Sequence, residues 1–175
     1  MFNPEIHHRR SIRLKEYDYV QPGAYFVTIC TNNHNCIFGD VVKEKVELSL
    51  FGLIVMDEWL RTPTIRPEVK LDEYVIMPNH FHSIIFIINH SRGATLCALT
   101  KLRRKPQSLS SLVAGFKSSV TKRINQSRKT PGMPIWQRNY YEHIIRNEKE
   151  LYETRKYINE NPFKWNLDKY NPQNA

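Results

Sequence analysis

The sequence predicts an α+β domain: one largely antiparallel sheet with helices packed on one face. Three observations carry this. Runs rich in β-branched and aromatic residues recur at strand length. Two of them meet at a tight Pro78-Asn79 corner. Between the runs lie amphipathic stretches long enough to be crossover helices.

Taken in order, the basic stretch "HHRRSIRLKEYDY" reads as a surface arm, assigned to residues 1–20. After the turn "QPG", Ala24–Thr31 ("AYFVTICT") reads as a strand. "NNHN" is a turn, and "CIFGDV" with "KVELS" reads as a short hairpin. Ser49–Thr62 has apolar residues at helical spacing behind a plausible cap, Ser49. "VKLDEYVIMPNHFHSIIFII" gives two strands around the Pro78-Asn79 corner. Ser91–Gln107 is an irregular connection carrying "KLRRK". In Ser108–Gln126, Leu109, Leu112, Val113, Phe116, Val120 and Ile124 share one stripe of a helix. "IWQRNYYEHIIR" reads as a further, bent strand. Asn147–Asn161 is a helix opening with a capping box, Asn147 at the N-cap and Glu150 at N3, and closed by Pro162. The order strand, helix, strand, strand, helix, strand, helix suits a ferredoxin-like split βαβ core. One domain over 21–165 and a C-terminal tail over 166–175 account for the chain.

The 175 residues carry 26 Lys and Arg against 17 Asp and Glu, a net charge of +9. That excess makes polyanions the first partners to consider. Cys30, Cys36 and Cys97 form no CxxC pair and leave an odd count, against a disulfide framework or a thiolate zinc site. There is no signal-like apolar segment at the start and no apolar run long enough to span a bilayer, so a cytoplasmic protein with no membrane contact is expected.

His80 and His82 flank Phe81 on a strand. Period-two alternation puts both imidazoles on one face, a two-point chelate for a divalent metal; half-exposed strand histidines are the plainer reading of HxH alone. Tyr157 and Asn161 are one helical turn apart. A phenol beside a cation can act as a nucleophile, and a carboxamide oxygen can ligate metal. Tyr152, Tyr140, Tyr141 and Tyr170 are rival phenols. Trp136, Tyr140, Arg138, His143 and Arg146 interleave aromatic and cationic groups in a way that suits single-stranded nucleic acid. Arg9, Arg10 and Arg13 in the arm, Arg103 and Arg104 in the connection, and Lys117, Lys122 and Arg123 on the long helix add phosphate-pairing charge.

With these blocks in view, the chain resembles the IS200-like single-tyrosine transposases of the HUH class, in the branch of REP-associated tyrosine transposases. "VIMPNHFHSIIFI" is similar to their His-hydrophobe-His motif. "RRSIRL", "YDYVQPGAYFVTICT", "GFKSSVTKRIN", "IWQRNYYEHIIRNEKEL" and "YINENPFKW" extend the likeness from Arg9 to Trp165. The resemblance implies a metal-dependent endonuclease and strand transferase acting on hairpin-bearing single-stranded DNA, as a monomer or homodimer. It implies Mg²⁺ or Mn²⁺ on His80, His82 and Asn161, where relatives often carry Gln at the third position. It implies Tyr157 as the nucleophile that forms a 5′-phosphotyrosine. Three rivals make different predictions: a binding module that no longer cuts, a hydrolase that uses the metal to activate water, and a basic RNA-binding domain with incidental histidines.

Overall fold

The computed structural model describes residues 21–88 and 107–174. The arm with Arg9, Arg10 and Arg13, the connection with Arg103 and Arg104, and Cys97 lie outside the described residues. The elements are β1 (Gly23–Cys30), β2 (Gly39–Val42), β3 (Lys45–Leu48), α1 (Leu50–Leu60), α2 (Thr62–Ile65), β4 (Val69–Met77), β5 (His80–Ile87), α3 (Leu109–Ser127), β6 (Tyr141–Ile145) and α4 (Glu148–Glu160). Two 3₁₀ segments, Pro162–Leu167 and Pro172–Asn174, follow.

β1, β4, β5 and β6 form one sheet in the order β4-β5-β1-β6, every neighbouring pair antiparallel. With α1 between β1 and β4 and α3 between β5 and β6, this is the ferredoxin-like arrangement. β2 and β3 make a separate hairpin.

Alternation sorts the side chains. Tyr25, Val27, Ile29, Phe81 and Ile85 face α1 and α3, where Trp59, Leu112, Phe116 and Val120 complete the main core. The Trp59 ring lies 4.8 Å from Phe81 and 5.0 Å from Phe116, edge to face, which adds geometric specificity to the burial. The two crossover helices thus share one face of the sheet. α4 packs on the other, where Ile158 meets Ala24, Phe26, Ile84 and Ile145. β5 is covered on both faces, so its sequence reads as a nearly continuous apolar run broken only by the histidines and Ser83.

Caps set the helix starts. Ser49 Oγ accepts from the Phe51 and Gly52 amides, Ser108 Oγ from Ser111, and Asn147 Oδ1 from Glu150 at 2.8 Å. Gly52 has a steric reason to be glycine: a Cβ there would stand 2.1 Å from the Phe38 carbonyl oxygen.

The strand expected over "IWQRNYYEHIIR" is shorter in the fold. Only Tyr141–Ile145 pairs along β1, and Trp136 makes an isolated bridge to Thr31. The carbonyls of Gln137, Arg138 and Asn139 instead converge on the Lys117 ammonium, so that stretch wraps α3 rather than joining the sheet.

Candidate active site

The site begins at the β4–β5 corner. The Asn79 carbonyl accepts from the Thr31 amide at 2.8 Å and the Thr31 hydroxyl at 3.0 Å, and the Pro78 carbonyl accepts from Phe38. That docking fixes where β5 starts, and so where its first residue points. His80 and His82 are both buried on the α4 side of the sheet, with ring centroids 4.6 Å apart.

Asn79 and Thr28 orient the two rings. The Asn79 amide nitrogen donates to the carbonyls of His34 (3.0 Å) and Tyr170 (2.6 Å). This turns its Oδ1 toward His80 Nδ1 at 2.9 Å. A carbonyl oxygen only accepts, so His80 carries its proton on Nδ1 and keeps the Nε2 lone pair. Thr28 pairs with His82 across β1 and β5, and its hydroxyl lies 2.8 Å from His82 Nδ1. His82 Nε2 faces the Tyr157 hydroxyl at 3.3 Å.

α4 supplies the opposite wall. Arg155 holds it to β4 with a two-pronged pair to Asp72, Nε to Oδ1 at 2.7 Å and Nη2 to Oδ2 at 2.6 Å. The Tyr157 ring packs edge-on against Phe26 and His82, at 6.0 and 5.2 Å, while the residue stays 42% exposed. Asn161, at the end of α4, is buried.

The last segment closes the site from below. Tyr170 stacks on His34 at 5.5 Å and lies tilted 4.7 Å from His80, and Trp165 lies 6.1 Å from His80. The Asp168 side chain, 8% exposed, places Oδ2 3.9 Å from His80 Nε2.

Burial dominates the electrostatics. It pushes the His80 imidazolium down to about 3, and His82 well below the ordinary histidine range, with the neighbouring His80 as a second cause. Both rings are therefore neutral near pH 7, and His80 presents the lone pair of its Nε2. Burial also raises the Tyr157 phenol, and the Asp168 charge raises it further. The Tyr170 phenol is pushed up to about 12, and the Cys30 thiol beside it to about 11, again by burial first.

The donor set fits a cation. Among the described residues, His80 Nε2 and Asn161 Oδ1 are buried and make no hydrogen bond of ordinary geometry, although Asn161 stands close enough to the His80 ring to favour its protonated form. Two orphaned acceptors in one pocket cost free energy unless something positive meets them. No three His, Cys, Asp or Glu side chains among the described residues are grouped as a metal cage. A cation would thus rest on two imidazoles and a carboxamide.

The other named candidates are scattered. Trp136 is 7% exposed and packs against Phe38 and Phe116, so its ring belongs to the core and offers no face to a base. Lys117 is spent on the 137–139 carbonyls, and burial lowers it to about 8. Arg123 pairs with Asp57 and Glu58, tying α3 to α1. Tyr140 is half-buried against the main core. His143 lies 3.6 Å from Glu150 and apart from the imidazole pair. Lys122, Arg138 and Arg146 are exposed. Asn79, Thr28, Asp168 and Tyr170 are the site residues that sequence reasoning missed or assigned elsewhere. The N-H-F-H spacing was the one signal for Asn79.

No family model matches the sequence. An uncharacterized protein of Haemophilus influenzae is 43% identical over 173 residues, covering 95% of each chain. The two chains belong to one family. Among solved structures, a REP-associated tyrosine transposase bound to a REP hairpin is similar at a TM-score of 0.56 and 20% identity, over 86% of this chain and 74% of that one. The shared feature is the fold: a four-stranded antiparallel sheet with helices packed on it. No described helix is long and apolar enough to cross a membrane.

Proposed function

We propose that this chain is a single-stranded DNA endonuclease and strand transferase of the single-tyrosine type, dependent on Mg²⁺ or Mn²⁺ and acting on hairpin-bearing DNA. One observation carries the reading. Tyr157, from the last long helix, reaches to 3.3 Å from His82 Nε2, beside the unpartnered His80 Nε2 and Asn161 Oδ1. A fold shared with a hairpin-bound transposase and a net charge of +9 support the choice of substrate.

His80, His82 and Asn161 would hold the cation. When bound, it supplies Lewis-acid polarisation of a phosphate oxygen and offsets developing negative charge. The residues do the rest. Asn79 and Thr28 hold both imidazoles with Nε2 inward. Phe26 packs edge-on against the Tyr157 ring, and the residue stays 42% exposed. Tyr157 Oη attacks phosphorus and loses its proton as the Oη–P bond forms. The P–O3′ bond breaks, and the departing 3′ oxygen takes up a proton. The product is a 5′-phosphotyrosine and a free 3′-hydroxyl, and attack by another 3′-hydroxyl reverses the step and joins new ends. Lys122, Arg138 and Arg146 are available for backbone phosphates; Arg9, Arg10, Arg13, Arg103 and Arg104 retain that role as sequence-based candidates.

The test is incubation with a hairpin-bearing single strand and Mn²⁺ or Mg²⁺, followed by denaturing gel electrophoresis. A protein–DNA adduct is expected, abolished in Tyr157→Phe and by chelation. A free 5′-phosphate product with no adduct would instead establish water as the nucleophile. Binding without cleavage under either metal would leave a binding module and overturn the assignment.

A further inference from the structure

A site built from two neutral imidazoles and a carboxamide lacks something a divalent cation ordinarily has, a nearby negative charge. Oxygen-preferring cations such as Mg²⁺ and Mn²⁺ are usually anchored by at least one carboxylate and keep several waters. Among the described residues, Asp168 is a carboxylate poised for that role. Asp168 lies just after the 3₁₀ segment that follows α4, and its side chain is almost wholly buried. Its two oxygens have different surroundings. Oδ1 accepts from the Tyr170 amide at 2.7 Å, which fixes the carboxylate's orientation. Oδ2 points to the orphaned Nε2 of His80, 3.9 Å away. The segment itself is pinned from several sides. Asn79 donates to the Tyr170 carbonyl, Asn171 to the Trp165 carbonyl, and Asn174 to the carbonyls of Asn166 and Asp168. A cation held at His80 Nε2 would meet that orphaned lone pair and at the same time offset the charge of this largely buried carboxylate.

We propose that Asp168 is the anionic partner of the cation, acting across one of the cation's water ligands rather than as a direct ligand. This rests on the cation site proposed above. Because such cations keep several of their waters, a carboxylate oxygen 3.9 Å from His80 Nε2 is close enough to act through one of them. The C-terminal segment then does more than follow α4. It completes the electrostatics of the site, and so sets how tightly the cation is held. Asp168 is a positioning residue here, not a nucleophile or base.

Asp168→Asn is the discriminating variant. The carboxamide oxygen can keep the bond from the Tyr170 amide, while the charge is lost and an NH₂ replaces Oδ2. Asp168→Ser, which keeps an oxygen acceptor for the same amide, is the second variant should the first fold poorly. Mn²⁺ binding is read directly, without DNA, by loss of the free-ion paramagnetic resonance signal on titration and by calorimetry. Thermal melts in chelator confirm that each variant is folded. Removal of a group that acts through a metal's outer shell weakens affinity by roughly 10- to 100-fold. That loss is expected for Asp168→Asn, against near-complete loss in His80→Ala. Wild-type affinity in both Asp168 variants, with binding still lost in His80→Ala, overturns the Asp168 role and leaves the cation site standing. Unchanged Mn²⁺ binding in His80→Ala overturns the site itself.

Discussion

Acidification is the most direct probe of the buried imidazole pair. In an unfolded chain an imidazole titrates near pH 6.5. In the fold, burial lowers His80 to about 3 and moves His82 in the same direction. Between pH 6.5 and about 3 the unfolded chain therefore takes up a proton at His80 that the native protein refuses. Stability is greatest above pH 6.5 and falls as the pH drops through that window. For a native group that stays neutral, moving from pH 7.5 to 5.5 costs about 1.4 kcal/mol at His80 alone, and His82 adds to it with the same sign. In a chain of this size that is a fall in Tm of roughly 3–6 °C from the one residue. The assay is a series of calorimetric melts of metal-free protein at pH 7.5, 6.5 and 5.5. His80→Gln serves as the comparison, since its overall stability may be set aside and only the slope against pH compared. The variant should lose that part of the slope. A wild-type slope in His80→Gln would refute the reasoning, because the histidine would then contribute nothing to linkage between proton uptake and folding.

Other outcomes follow from single contacts. Tyr157→Phe should change stability by less than about 1 kcal/mol in chemical denaturation, since the hydroxyl makes one 3.3 Å contact from a half-exposed residue, while covalent adducts disappear. Asn79→Ala removes the hydrogen bonds to His34, Tyr170 and His80 from a fully buried position, and should cost about 3 kcal/mol or more in the same assay. Arg155→Ala breaks a largely solvent-screened pair with Asp72, so its stability cost should stay near 0.5–1 kcal/mol; adduct formation should fall by a larger factor, because α4 carries Tyr157. Trp59→Ala opens the main core between Phe81 and Phe116, and a loss of about 3–5 kcal/mol is expected in a denaturant melt.

Much of this arrangement was legible because it depends on short-range rules. Alternation along "HFHSIIFI" put both histidines on one face, and a 3.6-residue period put Tyr157 and Asn161 on one side of α4. Ser49 and Asn147 announced their helices by capping chemistry, and α3 showed in its apolar stripe. What was not legible depends on partners distant in sequence. Asn79 looks like a turn residue, and its work is done on His34 and Tyr170, 45 and 91 positions away. The segment after Pro162 has no helical or strand period, so nothing in it announced that Asp168 and Tyr170 would return to β5. Trp136 and Lys117 looked like a stacking platform and a phosphate contact. Trp136 fills the gap between Phe38 and Phe116, and Lys117 gathers carbonyls that no strand claims. The β2–β3 hairpin was legible from its flanking strands alone: Lys43 and Glu44 both adopt positive φ without the Asn or Gly that usually marks such a turn.

The position of Tyr157 on α4 ties the fold to the chemistry. Successive residues of a helix are turned by about 100°. Leu151 and Ile158, seven positions apart, lie on nearly the same line and press against the sheet. Tyr157 lies one step back from Ile158, at the border of that buried stripe. Asn161 lies between the two directions. A phenol at the centre of the stripe would be buried and unreachable by a strand of DNA; one on the far side could not approach the imidazoles. At the border, the ring is steadied by Phe26 and His82 while the residue remains partly exposed. The placement therefore depends on the rotation of α4 about its own axis. Ile158 sets that rotation through packing, and Arg155 sets it through the forked pair with Asp72. The docking of one helix onto the open face of an otherwise ordinary split βαβ sheet is thus what turns two buried histidines into half of a site.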